Sequence, residues 1–179
     1  MRKLIGKTTL VAAALTLAPA LAVAQQHYMA KHEFGVDVAF AYSKPSGLNG
    51  ITQFFTPVDV RIGFVPAKGK LMFEPRASIM FISTTGASSH DLNLDVNALY
   101  GKDHKKGMYY TAGAGIDLIG RPAASGAIIS LNGGIGTRKP YESGAWRLEA
   151  FLRYDLKNTS LGVPNTVSIG ARAGLSLWH

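Results

Sequence analysis

Apolar and polar residues alternate with a period of two along eight stretches of this chain. In the stretch at residues 92–100, Leu94 and Val96 fall on one side, whereas Asp95 and Asn97 fall on the other. Successive side chains of a β-strand point to opposite faces, so each stretch predicts a strand with one apolar and one polar face. Segments that are typical of turns separate the stretches. The pattern therefore predicts an all-β protein, an eight-stranded antiparallel up-and-down barrel.

The predicted strands have roughly the 10 to 12 residues that a tilted strand needs to cross the hydrocarbon core of a bilayer. They lie at about residues 31–42, 52–65, 73–81, 92–100, 110–118, 129–138, 146–156 and 167–177. An even number of strands places both barrel ends of the chain on one side, taken as periplasmic. The connections after the second, fourth and sixth strands are then periplasmic turns, and the other four face outside. Pro75 lies inside the third strand and predicts a local bulge, because proline donates no ladder hydrogen bond.

The polar faces carry mostly Gly, Asp, Asn, Ser and Arg, whereas lysines are confined to strand edges and connections. Such a face is typical of the interior of a small membrane barrel, because a solvated outer face would recruit several lysines. The predicted inward charges, seven acids and six arginines, are Asp37, Asp59, Arg61, Glu74, Arg76, Asp95, Asp117, Arg138, Arg147, Glu149, Arg153, Asp155 and Arg172. Arginine binds carboxylates bidentately, so this balance favours a mutually paired network.

Two interpretations of the lumen stay open. An eight-stranded barrel is just wide enough for its inward side chains to fill it, which predicts a lumen closed by ion pairs. The inward glycines, Gly35 and Gly113 among them, leave room either for water in a narrow or gated pore or for long arginine side chains.

Aromatic residues on the apolar faces lie mostly near the predicted strand ends, and the strand middles carry Val, Ile, Leu and Ala. Aromatic rings prefer the membrane–water interface, so this arrangement predicts two girdles around an aliphatic belt. The predicted girdle residues are Phe34, Tyr42, Phe54, Phe64, Phe73, Phe81, Tyr100, Tyr110, Trp146 and Tyr154. The alternative, a soluble barrel with its apolar face inward, would more naturally place bulky rings at mid-strand.

Residues 1–24 have the features of a cleaved secretory signal peptide. A positive start is followed by an apolar run at residues 10–21 and by the small residues Ala22-Val23-Ala24 at the expected cleavage site. The predicted mature domain, residues 25–179, has 155 residues, which is room for one barrel. An uncleaved helical anchor is the alternative. No later apolar run is long enough for a transmembrane helix.

Charge and composition exclude several kinds of site. Without the three basic leader residues, 16 basic residues remain against 11 acidic ones, a net charge of +5, and the lysines are scattered over turns. We therefore expect no nucleic-acid partner. The chain has no cysteine, which excludes disulfides and thiolate metal sites.

Few residues are candidates for a catalytic, metal or phosphate-binding site, and we expect the protein not to be an enzyme. Ser88, Ser89, His90 and Asp91 cluster in one predicted external loop, but triad members normally come from separated segments. The histidines near the N-terminal end of the barrel are better interpreted as interfacial residues than as metal ligands. The paired glycines of the fifth and sixth strands have no helix after them and are not phosphate loops. No cofactor and no metal site are predicted.

The chain resembles the small eight-stranded outer-membrane barrels of Gram-negative bacteria, the OmpX/OmpA-type and related porin-family domains, in architecture over its whole mature length. The C-terminus is similar to their insertion signal, a glycine followed by alternating apolar residues, although His179 stands where an aromatic residue is usual. The residues that carry this signal are Gly174, Leu175, Leu177, Trp178 and His179.

The resemblance implies a location in the bacterial outer membrane, contacts with outer-membrane lipids and lipopolysaccharide, and insertion by the barrel-assembly machinery. It implies a non-enzymatic structural, envelope-integrity or surface role. A narrow small-solute pore is the first alternative. A lipid A-modifying enzyme, which also occurs on this architecture, is the second.

Overall fold

Eight long β-strands make up nearly all of the described chain. The computed structural model describes residues 32–66, 70–84, 87–121 and 125–178, with the side chains of all but residues 51–58, 80–84 and 87–88. The strands are β1 (His32–Pro45), β2 (Ile51–Phe64), β3 (Leu71–Thr84), β4 (Ala87–Gly101), β5 (Gly107–Gly120), β6 (Ser125–Tyr141), β7 (Gly144–Asp155) and β8 (Thr166–Trp178). Each strand pairs antiparallel with the next, and β8 pairs with β1, so the sheet closes. The predicted fold, an eight-stranded up-and-down barrel, is confirmed.

Several strands extend further than the apolar alternation. β4 already begins at Ala87, where Thr84 and Ala87 pair across the β3–β4 hairpin, so the prediction that Ser88, Ser89, His90 and Asp91 lie in an external loop is wrong. The predicted connection between the sixth and seventh strands, which were placed at about residues 129–138 and 146–156, is also too long, because β6 continues to Tyr141 and β7 begins at Gly144. Backbone ladder bonds need no apolar side chains, so a hairpin continues beyond the part of each strand that the alternation marks.

The register shifts once between β1 and β2. Asp37 pairs with Asp59 and Ala39 pairs with Phe55, so β2 holds two extra residues between these pairs. Pro57 lies in this interval and, lacking an N–H, donates no ladder bond. The predicted bulge at Pro75 is wrong. Pro75 pairs with Val96 in an unbroken β3–β4 register, and the β2–β3 pairs on either side of it, Arg61 with Arg76 and Phe64 with Phe73, keep one register.

The barrel has two distinct ends. We call the end where β1 begins and β8 finishes the terminal end, and the opposite end, with the connections that follow β1, β3, β5 and β7, the loop end. The longest of these connections, between β7 and β8, contains a short 3-10 helix (Thr159–Leu161). Asn158 caps this helix by accepting hydrogen bonds from the backbone N–H groups of Ser160 and Leu161.

Apolar side chains face outward and polar ones face into the lumen. Val96 and Ile169 are each 60% exposed on the outer surface, whereas Arg61 and Glu74 are fully buried inside. Small apolar clusters do lie inside: Ala39, Ala41 and Phe151 form one of them. A soluble protein hides its apolar face and solvates its charges, and this barrel does the reverse.

Candidate functional site

The lumen near the terminal end is filled by a layer of charged side chains, which we call the lower layer. Its acids and arginines are equal in number, four of each, and all are at most 4% exposed. Burying an isolated charge is very unfavourable, so such groups persist only when paired and hydrogen-bonded. The residues of the lower layer are Glu33, Asp37, Arg61, Glu74, Arg76, Arg138, Arg147 and Glu149.

Arg61 binds acids from β1 on one side of the lower layer. Its Nε donates to Asp37 at 2.8 Å, one of its terminal nitrogens donates to Glu33, and the other donates to the hydroxyl of Ser176 at 2.9 Å. Gly35 pairs with Arg61 across the β1–β2 ladder, and a side chain at residue 35 would overlap the guanidinium. Here the inward glycine makes room for an arginine rather than for water.

Arg147 links two acids on the other side of the layer. It donates to Glu74 and, at 2.7 Å, to Glu149, while its Nε donates to the hydroxyl of Tyr109 at 2.5 Å. Arg76 lies 2.6 Å from Glu74 and 3.2 Å from Glu149, so both carboxylates are shared by the same two guanidinium groups. Shared charge-assisted bonds of this kind hold every member in one place.

A cavity of about 370 Å³ occupies the lumen beyond the lower layer. We call it the upper vestibule. It reaches the loop-end connections at Leu48, Arg121 and Pro164. Five aspartates and three arginines line it, a formal charge of −2 when all are ionised: Asp59, Asp91, Asp95, Asp117, Asp155, Arg121, Arg153 and Arg172.

Arg153 is shared by three of the vestibule aspartates. It lies 2.7 Å from Asp117, 2.7 Å from Asp155 and 3.4 Å from Asp95, and its side chain is 16% exposed. Asn93 also donates a hydrogen bond to Asp117. The lower layer is balanced and closed, whereas the vestibule has more acids than bases and stays accessible.

The thirteen charges predicted to face inward divide between the two regions. Seven belong to the lower layer: Asp37, Arg61, Glu74, Arg76, Arg138, Arg147 and Glu149. The other six line the upper vestibule: Asp59, Asp95, Asp117, Arg153, Asp155 and Arg172. Sequence reasoning missed Glu33 in the lower layer, Tyr109 beside it, and Asp91 and Arg121 in the vestibule. Each of them lies an even number of residues from a predicted inward position such as Gly35, Gly113, Asp95 or Asp117, so continuing the alternation would have found all four.

The predicted girdle residues with described side chains lie on the outer surface. Tyr100 and Tyr110 pair across β4 and β5 at the terminal end, as do Phe64 and Phe73 across β2 and β3, and all four are exposed. Tyr42 and Trp146 are also exposed, and Phe34 and Tyr154 are partly exposed. The side chains of Phe54 and Phe81 lie outside the described part of the structure.

The polar cluster of residues 88–91 is divided between the two faces of one strand. These residues follow one another in β4, so their side chains alternate between the two faces. His90 is exposed, and Asp91 lines the upper vestibule. The side chain of Ser88 lies outside the described residues.

The predicted terminal segments are only partly described. Gly174, Leu175, Leu177 and Trp178 belong to β8, whereas His179 and the predicted signal peptide lie outside the described residues. Trp178 lies under the ammonium group of Lys105, 5.2 Å from the ring centroid. Among the described residues, no helix is long and apolar enough to cross a membrane. In the same part of the chain, no three histidine or acidic side chains are grouped to hold a metal ion.

No protein-family model and no curated protein matches the sequence. Solved structures do match the barrel. Neisserial surface protein A is 17% identical, with 83% of this chain and 97% of that chain covered and a TM-score of 0.53. The outer membrane protein OprG from Pseudomonas aeruginosa is 12% identical, with 86% and 98% covered and a TM-score of 0.52. At such identities the likeness establishes the fold alone: the chain has the fold of the small eight-stranded outer-membrane β-barrels.

Proposed function

We propose that the chain is an integral protein of a bacterial outer membrane whose closed lumen serves a structural or surface role rather than transport. The observation that carries this is the lower layer. Arg61, Glu74 and Arg147 are completely buried inside the lumen and joined by ion pairs. Charged groups placed in this way fill the space through which a solute would pass.

The outer surface supports the membrane location. Exposed aliphatic side chains such as Val96, Leu131 and Leu152 surround the middle of the barrel, and aromatic rings such as Tyr100 and Trp146 lie at its terminal end. Lipid removes the penalty of exposing this apolar surface. A closed barrel also leaves no strand edge unpaired, as a bilayer requires. The terminal end is then periplasmic and the loop end external.

The proposed partners follow from this location. Outer-membrane lipids contact the aliphatic belt, lipopolysaccharide contacts the loop-end rim, and the barrel-assembly machinery inserts the chain through its last strand. We propose no enzymatic activity, because the one polar cluster with nucleophile, base and acid in sequence, Ser88 to Asp91, lies along a single strand. A narrow pore would require the lower layer to move aside.

Conductance in a planar lipid bilayer tests the closed lumen. Purified, refolded protein is expected to give no steady channel openings at neutral pH. Glu74→Gln is the informative variant because it loosens the bonds of Arg76 and Arg147, and openings seen only in this variant would support a lumen closed by ion pairs. Steady openings of the unaltered protein would overturn the proposal in favour of a small-solute pore.

The membrane location and the absence of catalysis have separate tests. In a gel of outer-membrane fractions, the unboiled folded barrel is expected to migrate differently from the boiled protein. If the mature chain were instead found in the soluble periplasmic fraction, the location would be wrong. Mass analysis of lipid A after incubation with the protein is expected to show no deacylated or transferred product, and any such product would overturn the non-enzymatic role.

A further inference from the structure

We propose that the upper vestibule binds a small zwitterionic molecule, one with an anionic and a cationic group on a short apolar body. The inference goes beyond the proposed function and does not depend on whether the lower layer blocks ion flow. It depends on three properties of the cavity: an arginine whose buried Nε lacks a hydrogen-bond partner among the described residues, an excess of aspartates, and apolar walls near the loop end.

Arg172 provides the position for the anionic group. Its side chain lines the vestibule and is 10% exposed, and its Nε finds no hydrogen-bond partner among the described residues. Its ion-pair partner is Glu149, whose Oε1 lies 3.6 Å from the Arg172 Nε, beyond hydrogen-bond distance, and accepts hydrogen bonds of 3.5 Å from Arg76. Leaving a buried donor unsatisfied is unfavourable, and a carboxylate is the group that a guanidinium binds best.

The ring of Phe151 holds this arginine in place. The Arg172 guanidinium carbon lies 4.3 Å from the Phe151 ring centroid, a distance typical of a cation–π contact. Gly170 lies opposite Phe151 in the β7–β8 register, and a side chain there would come within 2.8 Å of the ring. Arg172 is therefore fixed on a packed ring beside the cavity, which is favourable for ligand binding.

The aspartates provide the position for the cationic group. Arg153 serves three carboxylates at once, and Oδ1 of Asp91 is buried without a hydrogen-bond partner among the described residues. The low-dielectric walls of a cleft focus the field of such charges and concentrate ions of opposite sign. An ammonium group placed among them would give these carboxylates a further cationic partner beside Arg153.

Part of the remaining wall is apolar. Leu48, Ile119, Ile128 and Val163 line the cavity beside its charged residues. The volume of about 370 Å³ lies within the range of small-molecule sites, about 300–1,000 Å³. A ligand with only an anionic group would be repelled by the aspartates, and a ligand with only a cationic group would leave the Arg172 Nε without a hydrogen bond. A molecule with both charges satisfies both positions.

The test uses the refolded full chain in octyl glucoside, a non-ionic detergent, because zwitterionic detergents would compete. Titration calorimetry compares 6-aminohexanoate with hexanoate and hexylammonium, which share the apolar body but lack one of the charges. We expect 6-aminohexanoate to bind about tenfold more tightly than either. No binding of 6-aminohexanoate, or equal binding of hexylammonium, would overturn the proposal.

Two variants separate the charged positions. Arg172→Gln is expected to weaken 6-aminohexanoate about tenfold while leaving hexylammonium unchanged, and Asp91→Asn is expected to weaken both. Lys157→Gln is the matched control, since it removes a positive charge from an exposed loop-end residue outside the cavity. An effect of Lys157→Gln as large as that of Arg172→Gln would reduce the result to general electrostatics and refute the site. Should Arg172→Gln fail to fold on a heat-modifiability gel, the ligand comparison on the unaltered chain remains decisive.

Discussion

Gly35 lies directly across the β1–β2 ladder from Arg61, and the Arg61 guanidinium occupies the space that a side chain at residue 35 would need. That guanidinium binds Glu33 and Asp37, two acids on the same strand as the glycine. The lower layer therefore requires a residue without a side chain at position 35 as well as its charged residues.

Gly35→Ala is expected to destabilise the barrel. The added methyl group forces the buried guanidinium away from its two carboxylates, and overpacking of this kind costs about 1–3 kcal/mol. Urea unfolding of the protein in lipid vesicles, followed by tryptophan fluorescence, measures the change. Gly133→Ala is the matched control, because a methyl group there has only one neighbour within 4 Å, the Thr111 carbonyl oxygen at 3.6 Å. Equal loss in both variants would show that the packing against Arg61 is not the cause.

The face on which each charge lies could be predicted from the sequence, because successive side chains of a strand point to opposite faces. Arg147 and Glu149 are two residues apart on β7 and enter the lumen together. The contacts across the lumen could not be predicted. Arg76 reaches Glu149, 73 positions away in the chain, because of the barrel closure and side-chain rotamers. The alternation of residues along a strand gives no information on how the barrel closes or on which rotamers the side chains adopt.

The positions at which the strands end could not be predicted from the sequence either. Asp91 belongs to the vestibule because β4 continues past the apolar alternation, where the ladder is held by backbone hydrogen bonds and the residues are polar. Polar residues at the loop end have the composition of a connection, so composition predicted a loop. The vestibule itself could not be predicted, since its volume depends on how far the arginines fold toward the lower layer.

Glu74→Gln is expected to lower the free energy of unfolding by about 3–5 kcal/mol, because removing one partner leaves a buried guanidinium uncompensated. Arg76 and Arg147 both bind Glu74. The same unfolding measurement applies, with Glu142→Gln, at an exposed turn residue, expected to change stability by less than about 0.5 kcal/mol. In a double-mutant cycle with Arg147→Gln, we expect a coupling above about 1 kcal/mol. Strict additivity would contradict the paired lower layer.

Arg153→Gln is expected to destabilise the barrel at neutral pH by about 1–3 kcal/mol, because three aspartates lose their shared donor. The difference from the unaltered protein should shrink toward pH 4, since protonation of the carboxylates removes their mutual repulsion. Unfolding curves at a series of pH values check this. Arg153→Lys keeps the positive charge but loses the bidentate geometry of the guanidinium, so its stability should lie between that of the unaltered protein and that of Arg153→Gln. A difference that does not change with pH would mean that packing, and not charge, is lost.

Trp146 is expected to lie at the level of the lipid headgroups. It is 59% exposed on the outer surface, near the start of β7 at the terminal end, and indole rings favour the interface. With Trp178→Phe as background, lipids brominated near the headgroup should quench its fluorescence more than lipids brominated near the chain ends. Val96→Trp in a background without Trp146 and Trp178 is the control. Val96 is 60% exposed at mid-barrel, so the order of quenching should reverse. Quenching of both positions by aqueous iodide alone would mean that the apolar surface faces water, and the membrane orientation of the barrel would be wrong.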